Sequence, residues 1–170
     1  SSASTRFINL PDSELDHGIR QTLGWIGEFF GADHSYLFQF SGASDRMKVN
    51  QEWFAAGAAR RPSPPLSLDD YPWFAQQIRK GELIYLPDLS RRQPPRRGAG
   101  KGRAKGQATF HSRRLVSTVS VPILSQGRLR GFFGFDSSRQ PLLWSREILS
   151  MLKLVGELFW VALERKKASE

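Results

Sequence analysis

Residues 116–136 read VSTVSVPILSQGRLRGFFGFD, and this stretch predicts the fold class. Two runs rich in β-branched and aromatic residues, Val116 to Leu124 and Leu129 to Asp136, flank the short turn Ser125-Gln126-Gly127. A glycine-containing turn of this length between apolar runs is typical of a β-hairpin. The stretch therefore predicts two antiparallel strands late in the chain.

The rest of the chain adds a second hairpin, a short strand and three helices. Apolar residues recur at helical spacing from Leu15 to Phe30, and Gly31 is placed to end that helix. Strands that come in hairpins, with helices at both ends of the chain, indicate an α+β domain built on an antiparallel sheet. The predicted elements are a helix from about Asp12 to Phe30, strands Ser35–Phe40 and Met47–Phe54, a short helix from Asp69 to Gly81, strand Leu83–Leu86, the hairpin above, and a helix from Ser145 to about Lys167.

Length and hydropathy predict one soluble folding unit. The chain has 170 residues, which suits a single domain, placed at 10–168, with residues 1–9 interpreted as a linker or a cut end. The longest stretch without a charge, Leu115 to Gly127, is far shorter than the ~20 apolar residues that cross a bilayer. The N-terminus does not resemble a secretory signal, so we expect no membrane span and a cytoplasmic location.

The residue types exclude several kinds of chemistry. The absence of cysteine excludes disulfides, thiolate metal sites, cysteine nucleophiles and thioether-linked chromophores. The three histidines, His17, His34 and His111, have no partner at metal-ligand spacing, so we predict no metal site and interpret them as surface or half-buried imidazoles. No nucleophile, acid–base pair or phosphate loop occurs as a local constellation, so we predict no catalytic residues and no enzyme activity.

The net charge of +9 is concentrated in one segment. Between Asp88 and Asp136 there are eleven bases and no acid, whereas the rest of the chain has fourteen bases and sixteen acids. Residues 90–107 are also rich in glycine and proline, which predicts an exposed flexible loop. It is either a solvated insertion or an arm that docks on an anionic partner such as nucleic acid, an acidic protein or a lipid surface. The seven bases of this arm are Arg91, Arg92, Arg96, Arg97, Lys101, Arg103 and Lys105.

Taken together, the order of these segments resembles the GAF domains of bacterial signalling proteins that also contain PAS, histidine kinase or diguanylate cyclase modules. The similarity covers about Leu10 to Arg165, and it depends on the order and spacing of several short pieces. These are LGWIGEFFGAD at 23–33, SYLFQF at 35–40, QEW at 51–53, GELIYLPD at 81–88, VSVPI at 119–123, the hairpin residues 127–136 and WSRE at 144–147.

The resemblance implies a six-stranded antiparallel sheet, with the terminal helices on one face and a ligand pocket under loops on the other. It also implies a homodimer and an output kinase or cyclase domain in the full-length chain. One departure is that residues 90–107 are glycine-rich and basic, where such domains often have a helical segment of mixed charge over the pocket. The family's cyclic-nucleotide signature, Asn-Lys-x-Phe, is absent, and its cysteine-dependent activities are excluded.

Aromatic side chains predict the ligand site. Aromatic walls with a few polar groups suit a small organic ligand, and in the resembled fold several of these residues lie near the pocket. The alternative is that they form part of the core. The predicted ligand-binding residues are Trp53, Phe54, Tyr71, Trp73 and Phe74, with Phe40, Val119 and Phe135 from the sheet.

The closing helix carries two apolar stripes, of which a single sheet face can cover one. The outer stripe includes Met151, Leu154 and Leu158, and we predict that it forms a homodimer interface. The alternative is a helix buried between the sheet and the first helix. The leading hypothesis for function is a non-catalytic sensor domain that binds an unidentified small molecule, with no cofactor named by the sequence, and signals through its terminal helices. The alternative is an interaction module that uses the basic loop.

Overall fold

The computed structural model describes residues 14–42, 45–89 and 115–169, which form a six-stranded antiparallel sheet and three α-helices. The strands lie in the order β3-β2-β1-β6-β5-β4, and all neighbouring pairs are antiparallel. The predicted fold class and sheet are thereby confirmed. The helices are α1 Leu15–Phe30, α2 Pro72–Arg79 and α3 Arg146–Ser169; the strands are β1 His34–Phe40, β2 Arg46–Phe54, β3 Leu66–Ser67, β4 Ile84–Leu86, β5 Ser117–Ser125 and β6 Arg128–Ser137.

One face of the sheet is covered by α1 and α3, and we call it the helical face. Because side chains alternate along a strand, Leu37 of β1 and Phe133 and Phe135 of β6 point to this face together. All three are fully buried against apolar residues of both helices. The helical-face core also contains Leu15, Ile19, Leu23, Val119, Val121, Ile123, Leu152 and Phe159.

The opposite face carries a second, aromatic core, and we call it the open face. Phe38 of β1 stacks on Phe132 of β6, with ring centroids 5.0 Å apart. Helix α2 covers these rings through Phe74, which meets Phe132 edge to face at 5.0 Å. Tyr36, Met47, Leu68, Ile78 and Ile84 complete this core.

Helix α1 approaches the sheet closely at two glycines. A β-carbon at Gly24 would lie 2.8 Å from Cδ1 of Trp53, and one at Gly27 would lie 2.7 Å from Cζ3 of the same ring. The indole of Trp53 therefore lies flat in the space that the glycines leave, between α1 and β2. Gly31, with a φ of 80°, then ends the helix in the left-handed conformation.

Side-chain hydrogen bonds from β4 and β5 hold the segment between β6 and α3 against the sheet. The Tyr85 hydroxyl accepts from the backbone N–H of Trp144 (3.1 Å) and donates to the carbonyl of Leu142 (2.5 Å). The Ser117 hydroxyl accepts from the N–H of Leu142 (3.0 Å). The start of α3 is therefore held to β4 and β5.

Helices α1 and α3 run antiparallel. Phe30, at the end of α1, packs on Trp144, just before α3, with ring centroids 4.7 Å apart. At the other end, the Lys166 ammonium pairs with the Asp16 carboxylate at 2.5 Å. The beginning of α1 and the end of α3 therefore lie at the same end of the domain. None of the helices in the described ranges has the length and apolar character needed to cross a bilayer.

Candidate functional site

A row of three polar side chains and one aromatic side chain crosses the open face where β1 begins. His34 of β1 lies opposite Phe54 of β2 on one side and Asp136 of β6 on the other. Asp136 in turn lies opposite Thr118 of β5. Residues directly opposite each other in antiparallel strands share a face, so these four side chains form one continuous row. We call it the His34 row.

Asp136 is the buried centre of this row. Its side chain is 6% exposed, and its Oδ1 atom accepts from the hydroxyls of Tyr36 (2.9 Å) and Thr118 (2.6 Å). Gly134 makes room for the tyrosine, since a β-carbon there would lie 2.8 Å from the Tyr36 hydroxyl oxygen. Two hydroxyl donors thus stabilise a carboxylate that burial alone would penalise.

His34 joins Asp136 to a second carboxylate, that of Glu52. The His34 Nε2 atom lies 2.7 Å from Glu52 Oε1, and its Nδ1 atom lies 3.7 Å from Asp136 Oδ2. The imidazole also stacks on Phe54, with centroids 4.6 Å apart and planes 8° from parallel. Glu52 Oε1 further accepts from the backbone N–H (3.0 Å) and the hydroxyl (2.6 Å) of Ser63. A single carboxylate thus ties the β2–β3 loop to the imidazole.

The pKa values of His34 and Glu52 shift in opposite directions. Burial lowers the pKa of His34, but the interactions with Asp136 and Glu52 outweigh it, so the pKa is raised above its usual value. Burial raises the pKa of Glu52, but the hydrogen bonds from His34 and Ser63 outweigh it, so this pKa is lowered. Both shifts favour an imidazolium paired with a carboxylate.

A second carboxylate cluster connects the two terminal helices. Asp33 follows α1 directly, and its Oδ2 atom accepts from the backbone N–H (2.6 Å) and hydroxyl (2.7 Å) of Ser138, which follows β6. Its Oδ1 atom accepts from Nε of Arg139 at 2.7 Å. Burial raises the pKa of Asp33, but these hydrogen bonds and the arginine charge outweigh it, so the pKa is lowered. We call this group the Asp33 clasp.

A cavity of about 500 Å³ lies between the His34 row and the Asp33 clasp. The β2–β3 loop, through Ala58, Pro62 and Ser63, forms one wall. The other walls combine an aromatic ring with groups that form hydrogen bonds. Asp33, His34, Phe54, Leu115, Asp136 and Ser138 line them. This volume and mixture of apolar and polar groups suit a small organic ligand.

The structure does not bring the eight predicted ligand-binding residues together. Val119 and Phe135 are fully buried in the helical-face core, and Trp53 packs on α1, so the expectation that these three face the pocket is corrected. The physical reason is strand alternation, which turns Val119 of β5 and Phe135 of β6 toward the helices together. Phe54 lines the cavity beside His34. Phe74 is buried in the aromatic core of the open face, and the partly buried Phe40, Tyr71 and Trp73 pack against that core.

The two remaining predicted sites are the dimer stripe of α3 and the basic segment. In the predicted dimer stripe, Met151 is 63% exposed and Leu154 59% exposed, whereas Leu158 is half-buried against the helical-face core. The seven bases at 91–105 lie outside the described residues.

The His34 row was not predicted from the sequence. The sequence pattern indicates three scattered imidazoles and does not pair His34 with Glu52 or Asp136. The available signal was that the polar residues His34, Thr118 and Asp136 alternate with the apolar residues Leu37, Val119, Val121, Phe133 and Phe135 in the numbering of their strands. Polar residues repeated on one face of buried strands indicate a polar site on that face.

Comparison with known proteins gives a family match. The model described as GAF domain matches residues 13–164. The methanogenesis regulatory histidine kinase FilI of Methanothrix harundinacea is 26% identical over 159 residues, which are 92% of this chain and 17% of that protein. The chain therefore spans less than a fifth of this relative's length.

Similar folds occur among phytochromes. The chromophore-binding domain of the bacteriophytochrome RpBphP3 from R. palustris matches with a TM-score of 0.79 and 16% identity, covering 99% of this chain and 61% of that one. The phycoerythrobilin-bound GAF domain of a cyanobacterial phytochrome matches with a TM-score of 0.76 and 16% identity, covering 99% and 96%. At this identity the likeness concerns the fold, whereas the family match extends over most of the sequence. The chain belongs to the GAF domain family.

Proposed function

We propose that this domain is a non-catalytic cytoplasmic sensor, which binds a small molecule in the cavity beside His34 and passes the signal through its terminal helices. The observation that carries the proposal is the cavity itself, about 500 Å³ in volume, with Phe54, the half-buried His34 and the buried Asp136 in its walls. The family match and the regulatory histidine kinase relative support a role in signalling. By analogy with that relative, the output is a kinase or cyclase domain in a longer chain.

The cavity walls define the kind of ligand. Oδ1 of Asp136 already accepts two hydroxyl protons, and Oδ2, which lies 3.7 Å from Nδ1 of His34, is the atom that can accept from a ligand N–H or O–H group. Phe54 and Leu115 offer apolar contact to a ring or short chain. Because the sequence has no cysteine, no thioether bond holds the ligand. We infer a small molecule that donates a hydrogen bond to Asp136 and lies near the cationic Arg61, which also lines the cavity.

The position of the cavity provides a route to both helices. The Asp33 clasp forms part of its wall, and the clasp joins the residue that follows α1 to the segment that leads into α3. A ligand that displaces or tightens these hydrogen bonds changes the relative stability of two helix arrangements. Ligand binding is therefore coupled to the helices without any change in the sheet.

Cavity filling tests the site. Ala58→Phe places a ring in the cavity wall, whereas Ala56→Phe places the same ring at a nearby exposed position that does not line the cavity. A library of metabolites is screened by thermal shift against the wild type, and each hit is titrated by calorimetry into both variants. We expect Ala58→Phe to abolish binding and Ala56→Phe to leave it unchanged.

A second measurement tests the signalling route. Hydrogen exchange of the wild type, with and without a confirmed hit, should change at residues 138–148 and at the end of α1. Hits that bind both variants equally contradict the proposed site. Binding without any change in exchange at these segments contradicts the proposed transmission.

We further propose that the domain acts as a homodimer through the outer surface of the terminal helices. Met151, Leu154 and Val161 on α3 are at least half exposed, and Phe29 on α1 is 82% exposed. Large apolar side chains in such numbers on one layer are typical of an interaction surface. Most of these exposed residues are on α3. A dimer through this surface would therefore place the α3 helices of the two protomers side by side.

A further inference from the structure

A groove of about 800 Å³ lies at the end of the domain opposite the His34 cavity. Three elements form it: the end of β1 with Gln39 and Phe40, the start of β6 with residues 128–130, and the last turns of α3. Helix α3 contributes Trp160 and Leu163 from its inner side and Lys167 near its end. The groove therefore lies between the sheet and the helix that leaves it.

The groove has a surplus of positive charge. Two of its charged residues are neutralised nearby, because Lys166 pairs with Asp16 and Asp45 pairs with Arg79. Three cations, Arg128, Arg130 and Lys167, remain against one acid, Glu164. Within the described ranges, none of these three cations has an ion-pair partner.

One of the cations is held in place by an aromatic ring. The Arg130 guanidinium lies over the Trp160 ring, 5.3 Å from its centroid, and its Nε atom is buried. Stacking on an aromatic face restrains the side chain while its terminal nitrogens keep their capacity to donate hydrogen bonds. A preorganised guanidinium suits an anion with several acceptor oxygens, such as a phosphate group.

Apolar groups complete the walls. Phe40, Leu129 and Leu163 line the groove beside the cations, and its volume lies within the usual range for small-molecule sites. We propose that this groove binds a small molecule that joins a phosphate group to an apolar or aromatic portion, at a site separate from the His34 cavity. The ligand's phosphate contacts Arg128, Arg130 and Lys167, and its apolar portion lies against Phe40 and Leu129.

Such a ligand bridges α3 to two hairpins of the sheet. Its contacts join the last turns of α3 to the beginning of β6 and to the end of β1. Binding would therefore restrain the position of the last turns of α3 relative to the sheet. This consequence rests on the proposed function: if α3 transmits the signal, a ligand in the groove would act directly on that helix.

Phenyl phosphate is the probe, with inorganic phosphate and phenol as the separate halves of the molecule. Binding is followed by calorimetry and by the indole N–H resonances, with the Trp160 signal assigned through Trp160→Phe. We expect phenyl phosphate to bind more tightly than either half and to shift the Trp160 signal. Arg128→Gln with Lys167→Gln should weaken binding about tenfold or more, because two charge-assisted contacts are lost.

The control variant also replaces one arginine and one lysine, but at positions outside the groove. Lys80→Gln with Arg146→Gln changes two exposed residues that do not line the groove, and it should leave the affinity within twofold. Amide exchange at residues 160–167 should slow when the probe is bound. The proposal is overturned if phenyl phosphate does not bind, if both double variants weaken binding equally, or if the Trp160 signal stays in place. Ala58→Phe should not affect binding of the probe, which separates this site from the His34 cavity.

Discussion

His34 connects a strand, a loop and the buried carboxylate of Asp136 through a single ring. Its two nitrogens face Glu52 at 2.7 Å and Asp136 at 3.7 Å, and its face is covered by Phe54. A charged imidazole in this position is favoured by both carboxylates, whereas a neutral one loses these attractions. The stability of this corner of the domain should therefore depend on pH.

The pH dependence has a defined sign. Because the folded-state pKa of His34 is raised, its stabilising effect is complete below the unfolded pKa of about 6.5 and is lost as pH rises through the folded value. The lowered pKa of Glu52 gives an effect present above about 4.5 and lost as pH falls through its folded value. Urea unfolding from pH 5 to 9 should show the stability advantage of wild type over His34→Gln shrinking as pH rises.

His17 provides the matched control for this titration. It is an exposed histidine on α1, so His17→Gln should give the same pH profile as the wild type. The other groups around His34 are Asp33, whose charge is compensated by Arg139, and Tyr36, which donates to Asp136. An advantage over His34→Gln that stays constant or grows between pH 6 and 9 contradicts the assignment.

At the residue scale, the sequence indicated the aromatic character of the open face but not which side chains contact each other. The aromatic content of the open face could be read from Phe40, Tyr71 and Phe74, because these residues recur on elements that resemble a known fold. The facing direction of Trp53 could not be read, since it depends on the space at Gly24 and Gly27 of a helix distant in sequence. Likewise, the contact between His34 and Asp136 spans about a hundred residues and exists only through strand register.

Among the elements, α1 depends on Trp53 for its distance from the sheet. Gly24→Ala adds a β-carbon 2.8 Å from the indole, which should destabilise the domain by about 1–3 kcal/mol. This effect exceeds the gain of about 1 kcal/mol that alanine gives in a helix. Chemical denaturation of Gly24→Ala, Trp53→Leu and the double variant measures the coupling. The alanine should cost less in the leucine background, and an equal cost in both backgrounds would show that the indole does not limit the approach.

Helix α3 should lose its dimer contact when its outer stripe is charged. Leu154 is 59% exposed, so Leu154→Lys should leave the monomer folded while it breaks an apolar interface. Light scattering with circular dichroism checks both properties. Ala56→Lys introduces the same charge at an exposed position in the β2–β3 loop, away from both terminal helices, and should remain dimeric. A wild type that is monomeric at high concentration would remove the proposed interface.

The elements were predictable where periodicity was strong. The β5–β6 hairpin has long alternating runs around a glycine turn, and α1 ends at Gly31 as its pattern indicated. Strand β3 could not be read from its two residues, because Leu66–Ser67 follows a proline-rich segment and exists only through pairing with Arg46 and Met47. The resemblance alone implied a sixth strand.

For the whole molecule, the basic segment at 91–105 is the main source of net charge, and its role stays a proposal. If it docks on a polyanion, each neutralised phosphate should add roughly one unit to the slope of log affinity against log salt. Replacing all seven bases by glutamine should then remove most of that slope. Binding of both proteins to nucleic acid and to anionic vesicles across a salt series provides the measurement. Equal binding, or none, leaves the segment as a solvated insertion.

The antiparallel arrangement of α1 and α3 also determines how the domain responds to force. Because the start of α1 and the end of α3 lie together, as the Asp16–Lys166 pair shows, a load applied between them pulls across the helix axes. The contacts between α1, α3 and the sheet then break one helical turn at a time, starting at the loaded end. The hydrogen bonds between the strands are not loaded along the strand direction. Under tension, the terminal helices should detach at low force while the six-stranded sheet is still intact.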